Sequence, residues 1–389
     1  SGAAALCPAI ARTRSCSALS TEPTFPSGAT RPPGNTFARP DDRESPDFRP
    51  GNLQISHPEN ARFPPRVSRE KPPLYLALLP VFATSEPCSR KPPMLRFHIY
   101  DVFTDTPFTG NPLAIVEGAD ALADTEMQTL ARQFNLSETI FIHTPDDPGH
   151  TAKVRIFTPG AEIPFAGHPT IGCAVHLGQG RDHVTLEEVA GLVPVTLTGP
   201  ADARMAEFTA PRLPAPIGTP PDIPTLAAAT GVPETAFGPH APGAYEGGPA
   251  FLFAQLRDLD ALAQARPQSG AWDRMLTSAG IDDTGRSGVG LYLYARGGMT
   301  DIQARMFAPN DGIPEDPATG SATAILAAQL LANGMLEDGD TTLTLAQGVE
   351  MGRPSRLRLT TAVAGGTLTE IRVAGQAVKV ADGQIRRPG

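Results

Sequence analysis

Two stretches of the chain repeat one another, and the repeat limits the fold more than any other feature. Val154-Arg-Ile-Phe-Thr-Pro159 matches Ala304-Arg-Met-Phe-Ala-Pro309 at an offset of 150, and Ile163-Pro164 matches Ile313-Pro314 at the same offset. Dropping two residues then aligns His168-Pro-Thr-Ile-Gly-Cys-Ala174 with Asp316-Pro-Ala-Thr-Gly-Ser-Ala322. Each copy reads as a strand, a loop and an apolar helix, over 170–177 in the first and 318–331 in the second, where Asn333-Gly334 stops it. A duplicated unit of this kind implies two similar lobes. The length agrees, since 389 residues exceed the roughly 250–300 at which single cores stop growing.

The remaining pattern is rich in strands. Alternating or continuous apolar runs predict strands at 95–103, 113–116, 139–142, 154–157, 251–256, 290–295, 301–307, 342–345, 357–361 and 367–373, with two more around Val184 and Val193. A helix is expected after Asp124, a plausible cap, because Met127, Leu130, Ala131 and Phe134 share one helical face. The fold class is therefore α+β, with lobes over 94–208 and 209–389 and a last strand that can pair back with the first lobe. Residues 1–93 differ in kind. They hold 17 of the 42 prolines and no methionine, so Met94 is the first Met of the chain, just before the first convincing strand. The expectation is a disordered extension.

Composition removes several classes of function. The formal charge is −9 overall and near −13 beyond residue 93, which argues against a nucleic-acid groove. No apolar run approaches the roughly 20 residues needed to span a bilayer. Cys173 is the only cysteine of the body, so no internal disulfide is expected and a cytoplasmic setting is the natural reading. Phosphate-loop, dinucleotide, nucleophile-elbow, CxxC and HExxH signatures are missing. No metal and no cofactor are expected.

Three titratable residues stand in unusual surroundings: Glu138 between a helix end and a strand, and His168 and Asp316 at the heads of the two repeated helices. Each has an ordinary explanation as well: a surface carboxylate, a core histidine and a helix N-cap respectively. Two plain caps would not need a histidine, and the glycines beside them let a ligand approach backbone amides that favour an anion. Arg155 and Arg305 sit on strands as structural ion-pair candidates, while Arg353 suits substrate contact and lobe packing equally.

The strings GNPLAIV (110–116), LSETIFI (136–142), IPFAGHPTIG (163–172), EDPATGSA (315–322) and GRPS (352–355) together resemble the PhzF-like, or phenazine-biosynthesis, isomerase family. The resemblance implies a diaminopimelate-epimerase-like fold, in which two pseudo-symmetric lobes each curl a mixed sheet around a central helix, with the site between them. It implies a cofactor-independent isomerase moving a proton between carbons of a small carboxylic acid. Glu138 is then the general acid/base, His168 and Asp316 its partners in the cleft, and Ser137, Gly167, Gly320 and Ser321 the substrate-binding candidates. A homodimer is suggested on the same ground. Two-base epimerases of that superfamily use one cysteine from each lobe; the repeat sets Cys173 against Ser321, so that pair is missing. A one-base epimerase and a non-catalytic small-acid binding protein are the alternatives.

Overall fold

A computed structural model describes residues 94–201, 203–280 and 289–389. The expected disordered extension over 1–93 lies outside the described residues.

In the first lobe a ring of strands closes on itself. Met94–Val102 pairs antiparallel with Asn111–Val116, which pairs parallel with Glu138–His143 after the crossover helix Asp124–Phe134. The ring continues through Ala152–Phe157, His183–Glu188, Gly191–Thr198 and Met205–Thr209. The long final strand Thr367–Arg386 joins Met205–Thr209 back to Met94–Val102. Closure leaves no open edge. The strands alternate as such a wall must: in Gly191–Thr198, Val193, Val195 and Leu197 are buried while the residues between them are exposed. Inside the ring lies the helix Gly167–Leu177, buried from Gly167 to Ala174.

The second lobe repeats the plan. Ala250–Gln255 pairs parallel with Val289–Arg296 across the helices Leu259–Gln264 and Ser269–Ser278. Ile302–Ala308, Gly339–Gln347, Ser355–Ala364 and the first half of Thr367–Arg386 follow in order. Gly243–Glu246 flanks the other side. These strands wrap the helix Gly320–Ala332, which is apolar or small on every side and is buried from Gly320 to Ala327. Outside the wall, Trp272, Met275 and Leu276 of the crossover helix build a separate apolar layer with Leu226, Leu252 and Leu291. Among the described residues no helix is long and apolar enough to cross a membrane.

Several expectations shift. Asp124 is the first helical residue rather than the cap; Ala123 is the N-cap, and Glu126 reaches back to its N–H. The final strand runs to Arg386, well past the expected end at 373. It serves both lobes, with Thr367 to Ala374 on Ser355–Ala364 and Ala377 to Arg386 on Met94–Val102.

The two inner helices change the reading of the repeat. The first begins at Gly167, earlier than expected, because Pro169 fits the first turn where no N–H partner is required; the second begins later, at Gly320. From the matched Ile163 and Ile313 the chain reaches its helix in four residues in the first lobe and in seven in the second. The second copy therefore gains residues where the sequence alignment had it lose them. His168 lies inside its helix, whereas Asp316 ends the strand Ile313–Asp316 and precedes its helix. They are not equivalent positions. Asp316 is also not an N-cap, since Thr319 holds that place.

Phe103 ties the lobes together. Its backbone takes a left-handed φ of 62°, its N–H donates to Gln376 O and its carbonyl accepts from Arg356 N, both at 2.7 Å. The buried ring packs against Gly375 of the shared strand and against Gly320 at the head of the second helix. A methyl group at Gly375 would overlap that ring. We expect Gly375→Ala to lower unfolding stability by about 1–3 kcal/mol, read from the urea midpoint.

Candidate active site

The two inner helices meet head to head. A Cβ added to Gly167 would come within 2.7 Å of Gly320 Cα, and one added to Gly320 within 3.0 Å of Gly167 Cα. Only glycine permits this approach. The first amides of each helix lack intrahelical acceptors, and the two positive dipole ends converge on one place. There a cavity of about 240 Å³ opens, lined by Gly167, His168, Gly320 and Ser321 from the helix starts, and by Glu138 and Asp316. Phe165, Phe251 and Met306 supply apolar wall, and Asn310 and Asp311 also line it.

Glu138 is the first residue of its strand, in register with Leu113. Asn135, in a left-handed φ of 52°, ends the crossover helix and turns the chain so that Glu138 enters the sheet at the cavity. Its side chain is 13% exposed, and Oε2 stands 3.4 Å from His168 Nδ1. That oxygen is buried with no hydrogen-bond partner among the described residues. Burial first, and the Asp316 charge second, push the Glu138 carboxyl well above the usual carboxylate range. Both causes favour its protonated form.

Asp316 differs although it too is buried. Thr319 Oγ1 donates to Oδ2 at 2.6 Å, and Ser137 Oγ and Asn111 Nδ2 donate to Oδ1 at 3.0 and 2.8 Å. Burial raises its carboxyl to about 6 against these three donors. The two carboxyls of the site are thus pushed apart, Glu138 raised by burial with no donor on Oε2 and Asp316 raised against three donors.

His168 is 3% exposed, and burial pushes its imidazole down to about 3, so the ring is neutral. Asn111 Nδ2 lies 3.3 Å from Nδ1 but has shorter contacts to Asp316 Oδ1 and to Ala318 O at 2.9 Å. An Nδ1 that accepts from Asn111 leaves the ring proton on Nε2, the tautomer used in the proposal below. Nε2 is buried without a protein partner among the described residues. It is left to meet a ligand.

Asn111 and Gln347, which the sequence reading passed over, hold this arrangement together with Arg353. Asn111 links Asp316 to the first lobe, and the turn before it is clamped from the second lobe by Arg353. Arg353 donates to the carbonyls of Gly110 and Thr109 and pairs with buried Asp101 at 2.6 Å. Arg353 therefore packs the lobes and does not line the cavity. Gln347 Nε2 donates to Asp316 O and Thr319 Oγ1, at 2.8 and 2.9 Å. Ser137, a substrate-binding candidate, donates its hydroxyl to Asp316 Oδ1 beside the cavity. Arg155 and Arg305 pair with Glu162 and Glu315 and lie over Phe157 and Phe307, the same device in each lobe. With the helix starts aligned, Cys173 is not opposite Ser321. It lies fully buried within the first inner helix, and burial raises its thiol far above the usual range.

The profile described as phenazine biosynthesis-like protein matches residues 100–383. The chain is 38% identical over 300 residues to an uncharacterised isomerase of Mesorhizobium japonicum, covering 75% of this chain and 98% of that one. It is 34% identical over 294 residues to the trans-2,3-dihydro-3-hydroxyanthranilate isomerase of Pseudomonas chlororaphis, covering 75% and 99%. Among solved structures, the phenazine-biosynthesis PhzF-family protein of Bacillus anthracis superposes with a TM-score of 0.66 at 23% identity, over 75% of this chain and 99% of that one, a likeness of fold. The fold is the diaminopimelate-epimerase-like one expected from the motifs, and the chain belongs to the PhzF-like family of isomerases.

Proposed function

We propose that the cavity isomerises a small carboxylic acid by moving a proton between two of its carbons, with Glu138 as the sole acid/base. The observation that carries this reading is the state of Glu138: a buried carboxyl, raised well above its ordinary range, with an uncommitted oxygen on the cavity. Such a group delivers a proton to one carbon of an electron-rich double bond. The carboxylate that results takes a proton from another carbon, whose C–H electrons become the new double bond. Glu138 ends as it began, and no electrons leave the substrate.

The substrate carboxylate is assigned to the amides at the heads of the two inner helices, Gly167 and His168 on one side and Gly320 and Ser321 on the other. A bound anion there keeps Glu138 protonated until a carbon accepts its proton. Neutral His168 offers Nε2–H to a polar substituent. Asp316 is held ionised by Asn111, Ser137 and Thr319, and its charge holds the proton on Glu138. The isomerase of Pseudomonas chlororaphis is named for a hydroxylated, dihydro amino acid, which has the carboxylate and the ring double bonds this scheme uses.

A two-thiol epimerisation finds no thiol at the helix heads, where Gly167, Gly320 and Ser321 stand. A one-base epimerisation is separated from isomerisation in deuterated water. With trans-2,3-dihydro-3-hydroxyanthranilate and related cyclic amino acids, isomerisation gives a shifted double bond, whereas epimerisation gives inverted configuration with carbon-bound deuterium. Glu138→Gln is expected to reduce kcat about 10³-fold with the fold intact by circular dichroism. Retention of full turnover would remove Glu138 from the chemistry.

The Asp316 carboxyl also sets a pH dependence. Because its folded value, about 6, lies above its ordinary value of 3.8, the folded state prefers it protonated. The stability this contributes is full below the unfolded value and is lost as pH rises through about 6. Activity requires the ionised form and should fall as pH drops below about 6. Asp316→Asn is accordingly expected to reduce turnover while raising Tm at pH 7 relative to the parent, an advantage that shrinks at pH 4; thermal scans at both pH values, with rates, check the pair of outcomes.

A further inference from the structure

The inner helix of the first lobe presents its N-terminus to the cavity, and its other end, about 16 Å away by helical rise, carries a second cluster. His98 on the strand Met94–Val102, Glu117 just after the strand Asn111–Val116, and His176 in the last turn of the helix converge there. We propose that His98, Glu117 and His176 bind one first-row divalent transition-metal ion, best suited to zinc, at a site separate from the isomerase chemistry.

Geometry carries the assignment. Both imidazoles direct Nε2 at the same carboxylate atom, Glu117 Oε1, each at 3.0 Å. The ligand atoms of all three residues lie within 4.8 Å of one another. Zinc bonds of about 2.0–2.1 Å to nitrogen and oxygen set neighbouring ligands of a tetrahedron roughly 3.3 Å apart. Each imidazole nitrogen, at 3.0 Å from Glu117 Oε1, needs to move from it by only a few tenths of an ångström to match that spacing. Two imidazoles and a carboxylate form the mixed nitrogen–oxygen set that borderline ions prefer over calcium or magnesium.

The surroundings are arranged as a metal site requires. Tyr100 OH lies 3.2 Å from His176 Nδ1, which fixes that ring with Nε2 toward Glu117 and gives Nδ1–H an acceptor once Nε2 ligates. The imidazoles are 12% and 13% exposed while Glu117 is 35% exposed, so the cluster opens on one side to an entering ion and a water ligand. The C-terminal end of the helix favours positive charge. Lys379 and Asp382 are the nearby charges, and they pair with each other at 3.0 Å, which offsets the cation. As a hydrogen-bonded trio alone the cluster leaves one atom unserved: His98 Nδ1 is buried without a partner among the described residues.

The test uses the full chain, stripped with chelator and titrated with zinc chloride by calorimetry and with cobalt(II) by visible absorption. We expect one ion per chain, cobalt bands of nitrogen–oxygen coordination and a zinc-dependent rise in Tm. His98→Gln and His176→Gln should each abolish binding at the zinc concentration that saturates the parent while leaving turnover unchanged. Tyr100→Phe should weaken binding about tenfold. The proposal is overturned if the parent chain binds no ion, if cobalt shows thiolate charge-transfer bands, or if both histidine variants bind zinc as the parent does. The cobalt spectrum of the parent decides the matter even if a variant fails to fold.

Discussion

Two helix N-termini touch at Gly167 and Gly320, and the rest of the structure exists to hold them there. Helices normally keep their ends apart because the unsatisfied amides carry like partial charges. Here each helix is enclosed by its own curled sheet, so its position is set by the wall and not by its neighbour. The strand Thr367–Arg386 belongs to both walls and fixes their relation, and Phe103 fills the seam between Gly375 and Gly320. The repulsion left at the junction is what the proposed substrate carboxylate would relieve. A duplicated fold thereby produces a cavity that neither copy contains alone.

The proposed acid/base group, Glu138, depends on this enclosure. Glu138 belongs to the first lobe and Asp316 to the second, and the crossing through Asn111 and Ser137 brings them into one low-dielectric space. Three donors on Asp316 and none on Glu138 Oε2 among the described residues favour the proton on Glu138. Arg353 and Gln347, which do not line the cavity, fix the backbones that carry Asn111 and Asp316. Loss of either would alter the proton's location by fractions of an ångström rather than by removing a catalytic atom, which is how distant residues commonly act on such sites.

The two-lobe architecture was legible in the sequence because duplication leaves a pattern that composition cannot mimic. The strings around Glu138, His168 and Asp316 were legible as well, since titratable residues beside glycine and proline at element boundaries are uncommon. The pairing of His168 with Asp316 was misread. Both precede small residues and proline, and sequence similarity aligned them, but the helix starts show that the second copy gained residues at the point where Asp316 sits. Asn111 gave little signal, because an asparagine before proline reads as a turn residue. Its burial follows from a clamp by Arg353 that is more than 240 residues away in the chain. The far half of the last strand was missed for a related reason: Lys379, Asp382 and Gln384 interrupt any apolar alternation where one face of the strand is open to solvent.

The central claim is that Glu138 rests as a protonated acid at neutral pH. Difference infrared spectroscopy between the parent chain and Glu138→Gln, in buffered deuterated water across the pH range, observes that proton directly. The account predicts a protonated carboxyl band at pH 7 that is present in the parent, missing from the variant and converted to carboxylate only at more alkaline pH. A Glu138 signal that is already carboxylate at pH 7 and protonates near the ordinary glutamate range would contradict it.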